Sequence, residues 1–210
     1  MRKGAHKPAQ RSLRGGPGSG MEGSVREADM RSEAAEGDWV FGYGSLMWRP
    51  GFDWVEKRPA ILHGRRRAFC IYSVHHRGTA ERPGLVLGLV RGGSVRGVAY
   101  RVAAERWREV ADYLREREQP TETYIEGRVR VRLDGGQGAN CLTYLSDTGH
   151  PQWAGDLTED EQARRIAGAR GLSGPNVDYL RDLVAHLRAA GVRDLGMERL
   201  LQRVVDLETG

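Results

Sequence analysis

Residues 40–48 read Val-Phe-Gly-Tyr-Gly-Ser-Leu-Met-Trp. Val40 and Phe41 open a strand, and then two glycines and a serine stand where the buried face of that strand should continue. Glycine widens the accessible backbone conformations and lets another group come close to the chain. A bend over Gly42–Ser45 is therefore expected, with Ser45 free to satisfy an amide, cap a turn or bond a ligand. The outward N–H groups of such a bend make a small nest suited to a carboxylate or a developing oxyanion. Plain turn chemistry accounts for the same residues. The stretch is neither a P-loop nor a dinucleotide fingerprint, because it lacks GxxxxGK[ST] and a third glycine.

Working outward, 58–73, 84–92, 94–102, 124–133 and 139–147 are rich in β-formers and separated by glycine-rich turn signals. In 127–133, Val129, Val131 and Leu133 fall on one face and Arg128, Arg130 and Arg132 on the other, the period of a half-buried strand. Helical spacing covers about 103–118, then 158–170 and 176–191. Thr158 with Glu161 three residues on reads as a capping box, and Ser173 or Asn176 is the expected cap of the third helix. Many strands, one embedded helix and then C-terminal helices, with no βαβ repeat, define an α+β domain on a small antiparallel or mixed, barrel-like sheet flanked by helices.

The chain of 210 residues suits one domain, expected over 38–210. It has no apolar run long enough for a bilayer span and no apolar N-terminal core of a secretory signal. The net charge of +5 is accounted for by Arg2, Lys3, Lys7, Arg11 and Arg14, in a segment of residues 1–20 with no acid. Residues 1–37 are accordingly expected to be a disordered basic extension, with Met21 or Met30 as alternative starts. A domain neutral on balance excludes nucleic acid as the expected partner. Cys70 and Cys141 lie in apolar strand-like runs without metal-ligand spacing, and read as reduced core thiols in a cytoplasmic protein without metal or cofactor. His75 and His76 are adjacent, so on a strand they point to opposite faces and share no metal. The five tryptophans, Trp39, Trp48, Trp54, Trp107 and Trp153, read as core and pocket wall.

Proton chemistry needs a titratable group, and the embedded helix offers one. Its apolar stripe runs Trp107, Val110, Ala111, Leu114, and four residues further it reaches Glu118. Glu116 lies about 160° away around the helix and faces water. A carboxylate in line with a buried stripe, near a helix C-terminus, meets desolvation and the wrong end of the macrodipole, and both raise its pKa toward that of a general base. The competing reading is a solvated last-turn residue paired with a nearby arginine.

Several separated stretches then agree with one family. VFGYGSLMWRP, the HRG of HHRGTAERPG, GLVLGLVRGGSVRGVAYRV, YLREREQ and AGDLTEDEQARRIAGARGLSGPNVDYL resemble, in order and at matching intervals over about 38–205, the ChaC-like γ-glutamylcyclotransferases, which act on glutathione. The resemblance implies a γ-glutamyl cyclotransferase-like fold. It implies substrate binding by the loop Val40, Phe41, Gly42, Tyr43, Gly44, Ser45 and Leu46, and a catalytic base at Glu118, paired in sequence with Arg117. By the same analogy Arg77 steadies a substrate carboxylate or a loop, and Tyr124 and Tyr179 are pocket residues. One departure is Ala80, where relatives often carry proline. The implied reaction makes 5-oxoproline and Cys-Gly from glutathione in a monomer, needing neither metal nor enzyme nucleophile. Two other functions stay open at this point: a cyclotransferase for other γ-glutamyl amino acids or amines, and a non-catalytic γ-glutamyl-binding or RNA-associated module.

Overall fold

A computed structural model describes residues 38–118 and 123–210. The chain divides into residues 1–36 and a compact unit from Gly37 to Gly210. The expected basic extension falls outside the described residues. Five strands close a barrel: β1 (Trp39–Gly42), β2 (Glu56–Ser73), β3 (Gly84–Arg101), β4 (Tyr124–Leu133) and β5 (Gly138–Ser146). Around the barrel the order is β1-β3-β2-β4-β5, antiparallel throughout except for the parallel closure of β5 on β1 at Trp39–Val40. The sheet is thus mixed and barrel-like, as expected.

Two sequence segments read as separate strands, 84–92 and 94–102, are one 18-residue strand. Gly92 and Gly93 have φ of +92° and +71°, opposite Gly64 at +79°, where the β2–β3 register shifts between His63 and Arg65. These glycines form a bulge that bends the long hairpin so that it can wrap, instead of a turn that ends it.

The helices are α1 (Trp107–Glu118), α2 (Glu159–Ile166), α3 (Asn176–Ala189) and α4 (Leu195–Thr209), with a two-residue hairpin of β6 (Arg170–Gly171) and β7 (Gly174–Pro175) before α3. Helices α2 to α4 join one core with Phe41, Phe69 and Tyr100 of the barrel, while α1 places Val110 and Leu114 against Val40, Val102 and Leu142. The Thr158–Glu161 capping box forms. The expected cap of α3 does not: Pro175 holds that position, and the Asn176 side chain turns inward to accept from Leu85 N–H at 2.6 Å and donate to Leu85 C=O at 2.8 Å. Helix α4 lies beyond the helical spacing read from the sequence; Asp194 caps it, and Met197, Leu200 and Val204 carry its buried stripe. Trp54 is 45% exposed, so it is not a core residue.

Candidate active site

The site arises where β3 runs on past its neighbour. On the side away from β2, β3 pairs with β1 only over Val98–Arg101. Beyond Gly42 the chain coils into a 3-10 turn over Ser45–Met47 instead of extending the strand. Gly42 makes that fold-back possible, because a Cβ there would stand 2.9 Å from Leu46 Cβ and 3.3 Å from Met47 N. The first half of β3 is left with unclaimed backbone groups, and side chains take them: Asn176 binds both polar groups of Leu85, and Tyr124 Oη donates to Leu87 C=O at 2.6 Å.

A cleft opens against this edge, lined by Tyr43, Gly44, Ser45, Leu46, Leu87, Glu118, Tyr124, Tyr144 and Tyr179. The loop contributes its second half. Val40 and Phe41 are fully buried in the core and, with Gly42, serve as the strand that launches the loop.

The loop is held from below. Arg67, 5% exposed, donates from Nε to Tyr43 C=O at 2.6 Å and pairs through Nη1 with Asp194 at 3.0 Å. Tyr100 Oη donates to Met47 C=O at 2.7 Å. The turn consumes the N–H groups of Met47, Trp48 and Arg49 on the carbonyls of Gly44 and Ser45. Among the described residues, the turn's own backbone bonds leave the N–H groups of Gly44, Ser45 and Leu46 unused at the cleft.

Glu118 is the carboxylate of the cleft. Val110, Ala111 and Leu114 are buried, Glu116 is exposed, and the Glu118 side chain retains 20% of its surface, as the continued stripe requires. Burial raises its pKa above the ordinary 4.5, opposed by Arg117, whose Nε lies 3.3 Å from Oε1. Both features weighed from the sequence, desolvation and an arginine partner, are therefore present, and desolvation dominates.

Four tyrosines surround it. Burial pushes the hydroxyls of Tyr43, Tyr124 and Tyr144 above the usual phenol range, and that of Tyr179 up to about 12, with the charge of Glu118 adding to each shift. All four are neutral donors at any physiological pH. Tyr43 Oη donates to Tyr144 C=O at 2.8 Å. Tyr179 packs edge-on to Phe69 at 5.6 Å, with the Arg77 guanidinium 5.4 Å over its ring. Arg77 does not line the cleft; its Nη1 donates to the carbonyls of Ser173 and Pro175, tying the loop after β2 to the β6–β7 hairpin. His76 Nδ1 lies 3.1 Å from Ser173 Oγ in the same tie.

Tyr144 was not singled out in the sequence. It is 2% exposed, and its Oη is a buried polar atom without a hydrogen-bond partner among the described residues. A buried hydroxyl left unsatisfied costs stability unless something else binds it. Its strand hid it: Cys141, Leu142, Thr143 and Tyr144 are all buried, so no alternation separates a cleft face from a core face.

A closed five-stranded mixed barrel flanked by helices is the fold this chain shares with solved γ-glutamyl cyclotransferases. The glutathione-specific enzyme from yeast superposes with a TM-score of 0.74 at 27% identity, covering 83% of this chain and 98% of that one. In sequence, the Escherichia coli glutathione-specific gamma-glutamylcyclotransferase is 38% identical over 169 residues, 80% of this chain and 73% of the relative. The mouse glutathione-specific gamma-glutamylcyclotransferase 1 is 33% identical over 172 residues, 80% of this chain and 76% of the relative. The model of the ChaC-like protein family matches residues 38–207, and the chain belongs to that family.

Proposed function

We propose that this chain is a glutathione-specific γ-glutamylcyclotransferase that releases 5-oxoproline and Cys-Gly, with Glu118 as its general base. The observation that carries the reading is the placement of the desolvated Glu118 carboxylate in one cleft with the loop Tyr43–Leu46 and three further tyrosines.

A γ-glutamyl amide carries its own nucleophile. Its α-amine attacks the γ-carbonyl carbon, a five-membered lactam closes, and the bond to the cysteinyl nitrogen breaks. Ring closure within one bound molecule supplies much of the rate through proximity. The protein has to hold the glutamyl chain folded, move a proton and stabilise negative oxygen. Glu118 takes a proton from the α-ammonium and returns one to the departing amine, work for which a raised carboxylate pKa is suited. The Ser45 and Leu46 N–H groups and the Tyr144 hydroxyl are the donors for the anionic oxygens of the substrate. Tyr124 and Tyr179 wall the cleft. Within this reading the chain acts as a cytoplasmic monomer on a free small molecule and without nucleic acid. The confinement of the basic excess to residues 1–20 and two free, buried cysteines support that placement. No described helix is long and apolar enough to cross a membrane.

Purified protein is expected to release equimolar 5-oxoproline and Cys-Gly from glutathione, and Glu118→Gln to lower kcat/KM by about 10²–10⁴-fold. γ-Glutamyl-alanine serves as the competing substrate. Its preferential turnover moves the substrate while keeping the base, and consumption of neither by folded protein returns the chain to a binding module.

A further inference from the structure

Glu118 and the loop belong to elements far apart in sequence, and one side chain joins them. The Arg117 guanidinium, at the end of α1, donates from Nη1 to Arg49 C=O at 2.6 Å and Pro50 C=O at 3.0 Å, and to Tyr113 Oη at 3.0 Å. Its Nη2 donates to Ser45 Oγ at 3.3 Å, and its Nε faces Glu118 Oε1 at 3.3 Å. A rigid planar fork can satisfy carbonyls, a hydroxyl and a carboxylate together, whereas a lysine ammonium is a point charge on a flexible stem.

The local sequence makes room for this fork. Gly51 has φ of +76°, and a Cβ at that position would lie 2.0 Å from Tyr113 Oη and 3.1 Å from Arg117 Nη1. A side chain here would collide with Tyr113 and crowd the guanidinium against the carbonyls it binds.

We propose that Arg117 is the positioning residue of this site, a clamp that fixes the substrate loop to the helix end bearing Glu118, so that base and loop donors keep one mutual geometry. The proposal rests on the cyclotransferase reading but assigns Arg117 a role that the reading does not require. The groups facing Glu118 are Tyr43 from the loop, Tyr124 of β4, Tyr144 of β5 and Tyr179 of α3, all held neutral, and Arg117 from its own helix. Among the described residues, Arg117 is the cation acting on the carboxylate, and it lowers the pKa that burial raises.

Two variants separate the parts of this role. Arg117→Gln removes both charge and fork: the acid limb of the kcat/KM–pH profile moves to higher pH and the plateau falls at least tenfold. Arg117→Lys keeps the charge and loses the fork, so the plateau falls while the limb stays near its parental position. The titration of Glu118, followed by the ¹³Cδ resonance of its carboxyl, reads the same shift without turnover. If the parent releases no 5-oxoproline, the cyclotransferase reading fails, and the clamp is then read from the Ser45 and Leu46 amide resonances, whose displacement in both Arg117→Gln and Arg117→Lys sustains it and whose parental positions overturn it. A folded Arg117→Gln protein with parental titration and parental plateau overturns the clamp, as does an Arg117→Lys plateau equal to the parent's.

Discussion

A glutamate that folding has partly stripped of water costs stability when charged. The folded-state pKa of Glu118 lies above its ordinary value of 4.5, so its contribution to stability is fully present below that value and is lost as pH rises through the folded pKa. Glu118→Gln should therefore unfold at a higher temperature than the parent at pH 7, with the gap closing as pH falls toward 4.5, while activity is lost. Thermal unfolding between pH 4 and 8 measures this, and a variant less stable than the parent at pH 7 contradicts it. Among the described residues, the Tyr144 hydroxyl has no hydrogen-bond partner to lose. Tyr144→Phe removes an unsatisfied polar atom from the interior and should raise stability, by up to about 1–3 kcal/mol, while lowering kcat/KM by roughly 10- to 100-fold, the worth of a hydrogen bond to a charged group. Stability loss with intact turnover would make this tyrosine a structural one. The two residues differ in how far the sequence exposes them. Glu118 continues a 3.6-residue stripe, and the competing exposed position, Glu116, falls on the opposite face. Tyr144 lies in a strand buried on both faces, where period two carries no information.

At the scale of elements, helices α2 and α3 dock on strand backbone through one amide side chain each. Gln162 accepts from Phe69 N–H at 3.1 Å, beside the register shift at Phe69–Ile71, and donates to Leu157 C=O at 2.8 Å. Asn176 takes both polar groups of Leu85. Read in sequence, Asn176 is a good cap, since short polar side chains favour helix starts. The structure gives it the task of a missing strand neighbour, which only the unpaired edge of β3 reveals. Asn176→Ala leaves an N–H and a C=O buried without partners, at about 1–3 kcal/mol each, so urea unfolding should show a loss of roughly 2–6 kcal/mol. Because α3 carries Tyr179 into the cleft, KM should rise as well. A loss below about 1 kcal/mol would mean that water or a shifted β3 replaces the amide. Thr158, by contrast, was legible with its partner: S/T-x-x-E is a local signal that needs no tertiary information, and its box forms. The single long β3 was not legible, because a Gly-Gly pair reads equally as a turn or as a bulge until the facing strand shows Gly64 beside it.

The described domain is held by closure, which the sequence implies as a barrel-like sheet without showing which strands meet at its seams. The sequence shows half-buried strands, but the parallel contact of β5 with β1 and the two-residue contact of β2 with β4 at Ala60–Ile61 join segments that no local pattern links. A barrel whose five strands pair around the full circle, with the free stretch of the β3 edge covered by Asn176 and Tyr124, has few ways to expose one strand alone. Cys70 on β2 and Cys141 on β5 test this, since β2 and β5 are not neighbours. Both are fully buried, and burial pushes both thiols up to about 12. At pH 8 neither offers thiolate or access in the native state, so alkylation requires opening. If the barrel opens as one unit, iodoacetamide should modify both cysteines with the same urea dependence, matching global unfolding when peptides are resolved by mass spectrometry. Faster labelling of Cys70 alone would place an independent opening at the end of the β2–β3 hairpin where Phe69–Tyr72 pairs with Leu85–Leu87. There β3 leaves its outer edge to Tyr124 and Asn176, so such an opening should slow when a γ-glutamyl ligand occupies the cleft.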